Sequence, residues 1–385
     1  MTREIELAKP ALAKLRLQAG LFSAAAGFFC AAGYLLIQSA WDPASALRWL
    51  ALTLGCCLYL LWVLWRGLQD NRREAEQDLL PTLGAANLLT LGRGLLLAAV
   101  AGFLFSPRPE NWLVWLPGAL YTLAGLADVL DGYLARVTRQ ATHLGESLDL
   151  NLDALGVLAA AGLAVQWGQA PGFYLSVALA RYAYSGALAL WVRSGRPVRP
   201  LAPSVRRRAF AGLQMGLLMV ILWPVFGPPG TRIAAALFAV PFLSGFAYDW
   251  LYAAGLVRPA ARDGRLQGLL PRARRILPPA LRLAAAGLGA WQILALFNAG
   301  APPEPEQAVL ALLEAALLLL ILLGAAGRVA SIACLLVLGA QQLYASLSPV
   351  QIALAGILVA LLYLGTGVPS LWTPEDRLIT RRFGE

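Results

Sequence analysis

One segment of the chain gathers acidic side chains at helical spacing: Asp128, Asp131, Asp149 and Asp153. Asp128 and Asp131 stand three residues apart, Asp149 and Asp153 four apart, so each pair shares one face of a helix. The stretch from Arg136 to Leu144 can fold the second helix back on the first and bring all four carboxylates into one cup. Hard oxygen donors at that density suit Mg2+, Mn2+ or Ca2+ better than zinc. A pair of such ions can hold the attacking and leaving oxygens of a phosphoryl displacement. Gly132, Ala135 and Gly145 belong to the same logic, because small residues let helix backbones, or a flat ligand, approach closely. Arg136 offers a planar fork for a phosphate.

The elements that must position these groups are membrane helices. Of 385 residues, 59% are hydrophobic and 14% charged, whereas about a quarter of a soluble domain is charged. The apolar runs are long enough to cross a hydrocarbon core of roughly 30 Å at about 1.5 Å per residue. Spans are expected at 18–38, 49–66, 88–106, 111–130, 151–168, 172–192, 209–227, 232–255, 280–298, 306–326, 329–346 and 349–367. The fold class is therefore an all-α polytopic membrane protein of about twelve transmembrane helices, with a six-helix bundle in the middle. The basic stretch Met1–Leu17 reads as the lead-in to an uncleaved first span.

A net charge of +10 raises the question of nucleic acid. The basic residues instead collect in alternate loops, with Lys9, Lys14, Arg16, Arg66, Arg72, Arg73, Arg136, Arg139 and Arg328 on one side and only Arg48, Arg108 and Arg232 on the other. That asymmetry is a topology signal. It excludes nucleic acid as the partner and puts the basic side, and with it the carboxylate cup, in the cytoplasm of a bacterial-type membrane. Cys30, Cys56, Cys57 and Cys334 all lie in apolar runs and imply no disulfide framework. Composition divides the chain into a two-span hairpin (1–67), a six-span block (68–257), a basic linker punctuated by Pro and Gly (258–279) and a four-span block (280–385).

The pattern Asp128-x-x-Asp131-Gly132-x-x-Ala135-Arg136, eight residues, Gly145-x-x-x-Asp149-x-x-x-Asp153 resembles the signature of the CDP-alcohol phosphotransferase (phosphatidyltransferase) family at every defined position. Upstream, Asn87-Leu-Leu-Thr90-Leu-Gly-Arg93 is similar to the N-x-L-T-x-x-R opening of that family's first span, and the resemblance covers about residues 70–255. It implies metal-dependent transfer of a substituted phosphate from a CDP-alcohol, CDP-diacylglycerol above all, to the hydroxyl of a small polar acceptor, with release of CMP. This is a step of phospholipid biosynthesis. By position it implies two ions, Mg2+ or Mn2+, on Asp128, Asp131, Asp149 and Asp153, with Asp153 also the catalytic base. Asn87, Thr90, Gly132, Ala135, Arg136 and Gly145 would line the CDP site. Arg181, Arg206, Arg207 and Arg208 match basic positions of members that use phosphorylated acceptors. Ala154 departs from the Lys usual at that position in phosphatidylglycerophosphate synthases, which leaves the acceptor alcohol open. The family also implies a homodimer working among membrane lipids, each protomer holding its own site.

His143 reads as a solvated loop residue and Asp249 as an interfacial one. In the last block, Glu314, Gly324-Ala-Ala-Gly-Arg328 and Gly365-Thr-Gly-Val-Pro-Ser370 are similar to the DoxX-like four-helix family. Glu314 is read there as a helix-packing hydrogen bonder, with Gln341, Gln342 and Tyr344 lining the same interior. The competing readings are a polytopic transporter and a non-catalytic scaffold. A transporter is expected to show inverted repeats and midplane polar residues, and none repeats here; a decayed enzyme is expected to have lost one of the aspartates.

Overall fold

The computed structural model describes residues 2–73, 78–138, 141–201, 205–257, 264–299 and 302–373; within these, the side chains of 2–9, 136, 205–206 and 264–275 lie outside the description. Twelve helices follow in order: α1 (Thr2–Ile37), α2 (Pro43–Gly67), α3 (Gly84–Gly102), α4 (Leu116–Val137), α5 (His143–Gln166), α6 (Leu175–Arg193), α7 (Val205–Ile221), α8 (Gly230–Ala253), α9 (Gly264–Phe297), α10 (Pro305–Leu323), α11 (Gly327–Gln341) and α12 (Pro349–Leu364). Each expected span falls on its own helix. Among the described residues, nine helices are long and apolar enough to cross a membrane, and α11 and α12 are shorter apolar helices. Large apolar side chains such as Phe28, Trp62, Leu190 and Trp291 are more than half exposed, the arrangement expected where lipid is the solvent. The protein is an integral multi-pass membrane protein.

Helix starts follow local chemistry. Asp42 accepts a hydrogen bond from the Ser45 amide (2.9 Å) and Pro43 takes the first helical position, so α2 begins before the apolar run does. Glu304-Pro305 and Ser348-Pro349 start α10 and α12 in the same way, each with a reciprocal capping box. α9 differs from expectation. It begins at Gly264, inside the stretch read as linker, and runs through Pro278 and Pro279. A proline removes one backbone hydrogen bond without obliging a membrane helix to end.

Two compact units divide the chain. The first runs to Ala178 and adds Leu218–Pro224. Its centre is α3, the most enclosed of the candidate spans, packed against α2, α4 and α5. Gly94 makes that packing possible, since a Cβ there would overlap Leu60 of α2 at 2.6 Å and press on Leu152 of α5 at 3.1 Å. In lipid such close backbone approach is what holds helices together, because lipid tails are as apolar as leucine.

The second unit holds Leu179–Leu217 and the chain from Val225 onward. There α9, α10, α11 and α12 pack in a ring around Leu318, Ile321, Cys334, Leu354, Leu358 and Leu361. Arg282 of α9 is buried beneath the chain's Gly-rich ending. Its guanidinium donates to the carbonyls of Leu322, Thr366 (3.2 Å) and Pro369 (2.6 Å), joining the last turn of α10 to the segment after α12. Gly324 takes the left-handed conformation (φ 68°) that ends α10, so the Ala325 amide can return to the Leu320 carbonyl at 2.9 Å.

Candidate active site

Both aspartate pairs lie within helices, Asp128 and Asp131 on α4 and Asp149 and Asp153 on α5, because α4 continues to Val137 and the intervening turn is short. That turn is fastened from outside. Thr142 caps α5 by accepting from the Gly145 amide (3.0 Å), and the Asn87 side-chain amide donates to Thr142 Oγ1 (3.1 Å) and Asn71 Oδ1 (3.2 Å). Asn71 is fully buried and donates to the carbonyls of Leu80 (3.2 Å) and Thr82 (2.9 Å). The His143 amide bonds the Arg72 carbonyl at 3.1 Å. The polar stretch before α3 thus sets the height of the α5 N-terminus against α3.

At the centre of the cup sits Arg93 of α3, 2% exposed. Its Nη1 donates to Asp128 Oδ1 and lies 3.7 Å from Asp131 Oδ2; its Nη2 donates to Asp149 Oδ1 (2.7 Å) and Asp153 Oδ1 (3.1 Å). Asp131 is buried, whereas the side chains of Asp128, Asp149 and Asp153 are 36%, 49% and 40% exposed. Thr90 Oγ1 lies 2.9 Å from Asp131 Oδ2 and 3.0 Å from the Ala86 carbonyl, so its single proton serves one or the other.

Asp128, Asp131 and Asp149 each turn one oxygen to a common point, the three within 4.8 Å of one another. A cation with oxygen bonds of about 2.0–2.6 Å can touch atoms at that separation. The charge inventory fits as well, since one guanidinium cannot neutralise four carboxylates. Asp153 is not part of this convergent trio and joins it through Arg93.

Beside the carboxylates opens a cavity of about 310 Å³. Asn87, Thr90, Asp131, Gly132, Ala135, Gly145 and Asp149 line it, so five of the six residues expected at the nucleotide site share one wall system with two of the acids. The sixth, Arg136, lies on α4 with its side chain outside the described residues. His143, expected only as a solvated loop residue, is exposed and also lines the cavity. Arg93 was quoted within a motif and given no role; an arginine midway along a span was the available signal. Asn71 lies in a polar stretch where residue type alone signals no such role.

The basic residues expected at the acceptor belong to the second unit. Arg181 is exposed on α6, Arg207 and Arg208 open α7, and the Arg206 side chain lies outside the described residues. Arg207 Nη1 pairs with the buried Asp249 of α8 at 3.5 Å.

Comparison with known proteins agrees with this geometry. The family model described as CDP-alcohol phosphatidyltransferase matches residues 83–247. The chain is 31% identical over 145 residues to a CDP-diacylglycerol–glycerol-3-phosphate 3-phosphatidyltransferase of Pseudomonas fluorescens, covering 36% of this chain and 72% of that one. It is 38% identical over 95 residues to an enzyme of the same name from Cereibacter sphaeroides, covering 24% of this chain and 42% of the relative. No solved structure matches. With the four signature aspartates gathered around Arg93, two of them on the cavity wall, and a relative covered over most of its length, the chain belongs to the CDP-alcohol phosphatidyltransferase family of membrane transferases.

Proposed function

We propose that the protein moves the phosphatidyl group of CDP-diacylglycerol to the hydroxyl of a small polar acceptor at the cytoplasmic face of a bacterial membrane. One observation carries the reading: three signature carboxylates converge within 4.8 Å beside a cavity walled by Asn87, Thr90, Gly132, Ala135 and Gly145. The small residues leave room for the cytidine and pyrophosphate, with Asn87 and Thr90 as polar anchors and Arg136 as the phosphate fork. Asp128, Asp131, Asp149 and Asp153 would hold two divalent ions, Mg2+ or Mn2+. When bound, such ions neutralise charge on the pyrophosphate oxygens and favour departure of CMP.

Asp153 takes the proton from the acceptor hydroxyl. The oxygen then bonds to the phosphorus that carries diacylglycerol, and the bond from that phosphorus to the CMP oxygen breaks. Asp153 suits this part because it stands outside the convergent trio, about two-fifths exposed. Thr90 orients Asp131, and Arg93 keeps the four acids from spreading.

The relatives named above take glycerol-3-phosphate, and a phosphorylated acceptor is the reading favoured here, with Arg181, Arg206, Arg207 and Arg208 its candidate partners on residue type. Residues 68–257 are the catalytic domain, 1–67 an accessory hairpin, 258–279 the connection, and 280–385 a separate four-span domain. The family resemblance supports a homodimer.

The test is release of CMP by purified protein from CDP-diacylglycerol with Mg2+ or Mn2+ and a panel of acceptors. Asp153→Asn should reduce the rate by roughly 10²–10⁴-fold, the usual contribution of a positioned base, while the protein elutes as folded. Full activity in that variant removes Asp153 from the chemistry. No release with any acceptor in either metal rejects the reading as a whole.

A further inference from the structure

The second unit contains a polar cavity that phosphatidyl transfer does not use. It occupies about 330 Å³ where the C-terminal ends of α9 and α11 meet the N-terminal ends of α10 and α12. Trp291, Leu310 and Ala311 form part of its apolar wall, and Gln292, Glu314 and Gln341 its polar floor. Glu314 has no exposed surface. Its Oε2 accepts from Gln292 Nε2 (3.0 Å) and Gln341 Nε2 (2.7 Å); Gln341 Oε1 in turn accepts from Gln292 Nε2 (3.0 Å) and Gln351 Nε2 (2.9 Å).

Two acceptors in this network are buried and have no partner, Glu314 Oε1 and Gln292 Oε1. Leaving a buried acceptor unsatisfied is costly, and more so for a charged group. Both N–H groups of Gln292 are spent on Glu314 Oε2 and Gln341 Oε1, and the Gln341 and Gln351 amides donate to Glu314 Oε2 and Gln341 Oε1 rather than to these oxygens. Among the described residues, no Arg, Lys or His lines the cavity. Further acidic charge lies close by: Tyr344, also on the wall, donates its hydroxyl to Glu306 at 3.0 Å. The site therefore offers two unpartnered acceptors, the Glu314 carboxylate and the indole of Trp291, and among the described residues its lining holds amide and hydroxyl donors but no positive charge. Water can fill the donor deficit; it cannot supply the charge. A primary ammonium supplies both, and an indole face favours a cation beside it.

We propose that this cavity binds the primary ammonium group of an amphiphile, with N–H donors on Glu314 Oε1 and Gln292 Oε1 and the alkyl portion against Leu310 and Trp291. The group comes either from an aminolipid head or from a free alkylamine. This inference does not depend on the catalytic reading.

The full chain in phosphatidylcholine nanodiscs is dialysed against radiolabelled hexylammonium, and binding above that of empty nanodiscs is measured. One saturable site is expected, with hexanol failing to compete. Glu314→Gln, which keeps shape and removes charge, should weaken binding at least tenfold. Ala345→Trp, an exposed wall position that can plug the cavity from outside the packed core, should do the same and carries the test if Glu314→Gln fails to fold. Equal competition by hexanol, as in a merely water-filled cavity, overturns the proposal, as does unchanged binding in both variants. Repeating the measurement with phosphatidylethanolamine in the nanodiscs separates the sources: lost binding identifies the lipid head as occupant, and retained binding a free amine.

Discussion

Replacing Arg93 by Gln should destabilise the protein far more without divalent ions than with them. Hydrogen bonds to charged groups contribute about 1.5–3 kcal/mol each when shielded, and removing one partner of a buried ion pair costs about 3–5 kcal/mol. Arg93 is shielded, at 2% exposure, but Asp128, Asp149 and Asp153 are 36%, 49% and 40% exposed. Solvent screening pulls such contacts toward about 0–1 kcal/mol apiece, whereas the share from the buried Asp131 is retained. A loss of about 3 kcal/mol in chelator follows. At roughly 2–4 °C per kcal/mol for a unit of this size, Tm should fall by about 6–12 °C. Divalent ions neutralise the same carboxylates, so saturating Mg2+ should shrink the gap between variant and wild type to less than half. Scanning fluorimetry of the solubilised protein in EDTA and in Mg2+ reads both numbers, and Arg93→Lys, which keeps charge but loses the fork, should fall between them. A gap of the same size in both buffers would refute the idea that guanidinium and metal share one job.

Other substitutions probe neighbouring contacts. Thr90→Val removes the hydroxyl beside Asp131; the Mg2+ concentration for half-maximal CMP release should rise about tenfold, the lower end of what a lost supporting hydrogen bond costs a metal site. Gly145→Ala places a methyl against Asn87 Oδ1, which cannot swing aside because its amide is held by Thr142 and Asn71. KM for CDP-diacylglycerol should rise about tenfold with kcat changed less, and stability should fall by about 1–3 kcal/mol. Arg282→Met strips the donors from the Leu322, Thr366 and Pro369 carbonyls, of which that of Thr366 belongs to a buried residue; a loss of about 1–3 kcal/mol, seen as a lower Tm, is expected from the buried acceptor left bare.

What could be read in advance was whatever depends on a short stretch of chain. Run length located the twelve helices, nine of them, among the described residues, long and apolar enough to cross a membrane, and spacing put each aspartate pair on one helix face. The starts of α2, α10 and α12 were also written locally, as Asp42-Pro43, Glu304-Pro305 and Ser348-Pro349. What escaped depends on the register between helices. Arg93 meets acids from α4 and α5 only because α3 packs between them at one particular height, fixed by Asn87 and Asn71. Gln341 is legible as a neighbour of Glu314, but nothing in the sequence positions of Gln292 and Gln351 says that the first also bonds Glu314 while the second holds Gln341, and Gln342 turns instead to the Gly230 amide. α9 misled for the opposite reason. Its prolines are a local break signal that holds in water and weakens inside a bundle, where neighbouring helices can satisfy the freed carbonyls.

The fixed cation in the cup answers a difficulty that a site of four acids creates for itself. Without a counter-charge, carboxylates on α4 and α5 repel, and the helix ends would part before any ion or nucleotide arrived. Arg93, reaching in from the most enclosed helix, holds them together, yet it leaves three of the four negative charges unmatched. The cup thus carries its own counter-charge and keeps a net negative charge that would attract metal. On the proposed reading, two divalent ions would turn that deficit into a single positive excess, the sign needed to draw in a pyrophosphate. An arginine placed instead at the rim could attract phosphate but could not keep the acids gathered, which is why its burial at the centre of α3 matters to the chemistry as much as its charge.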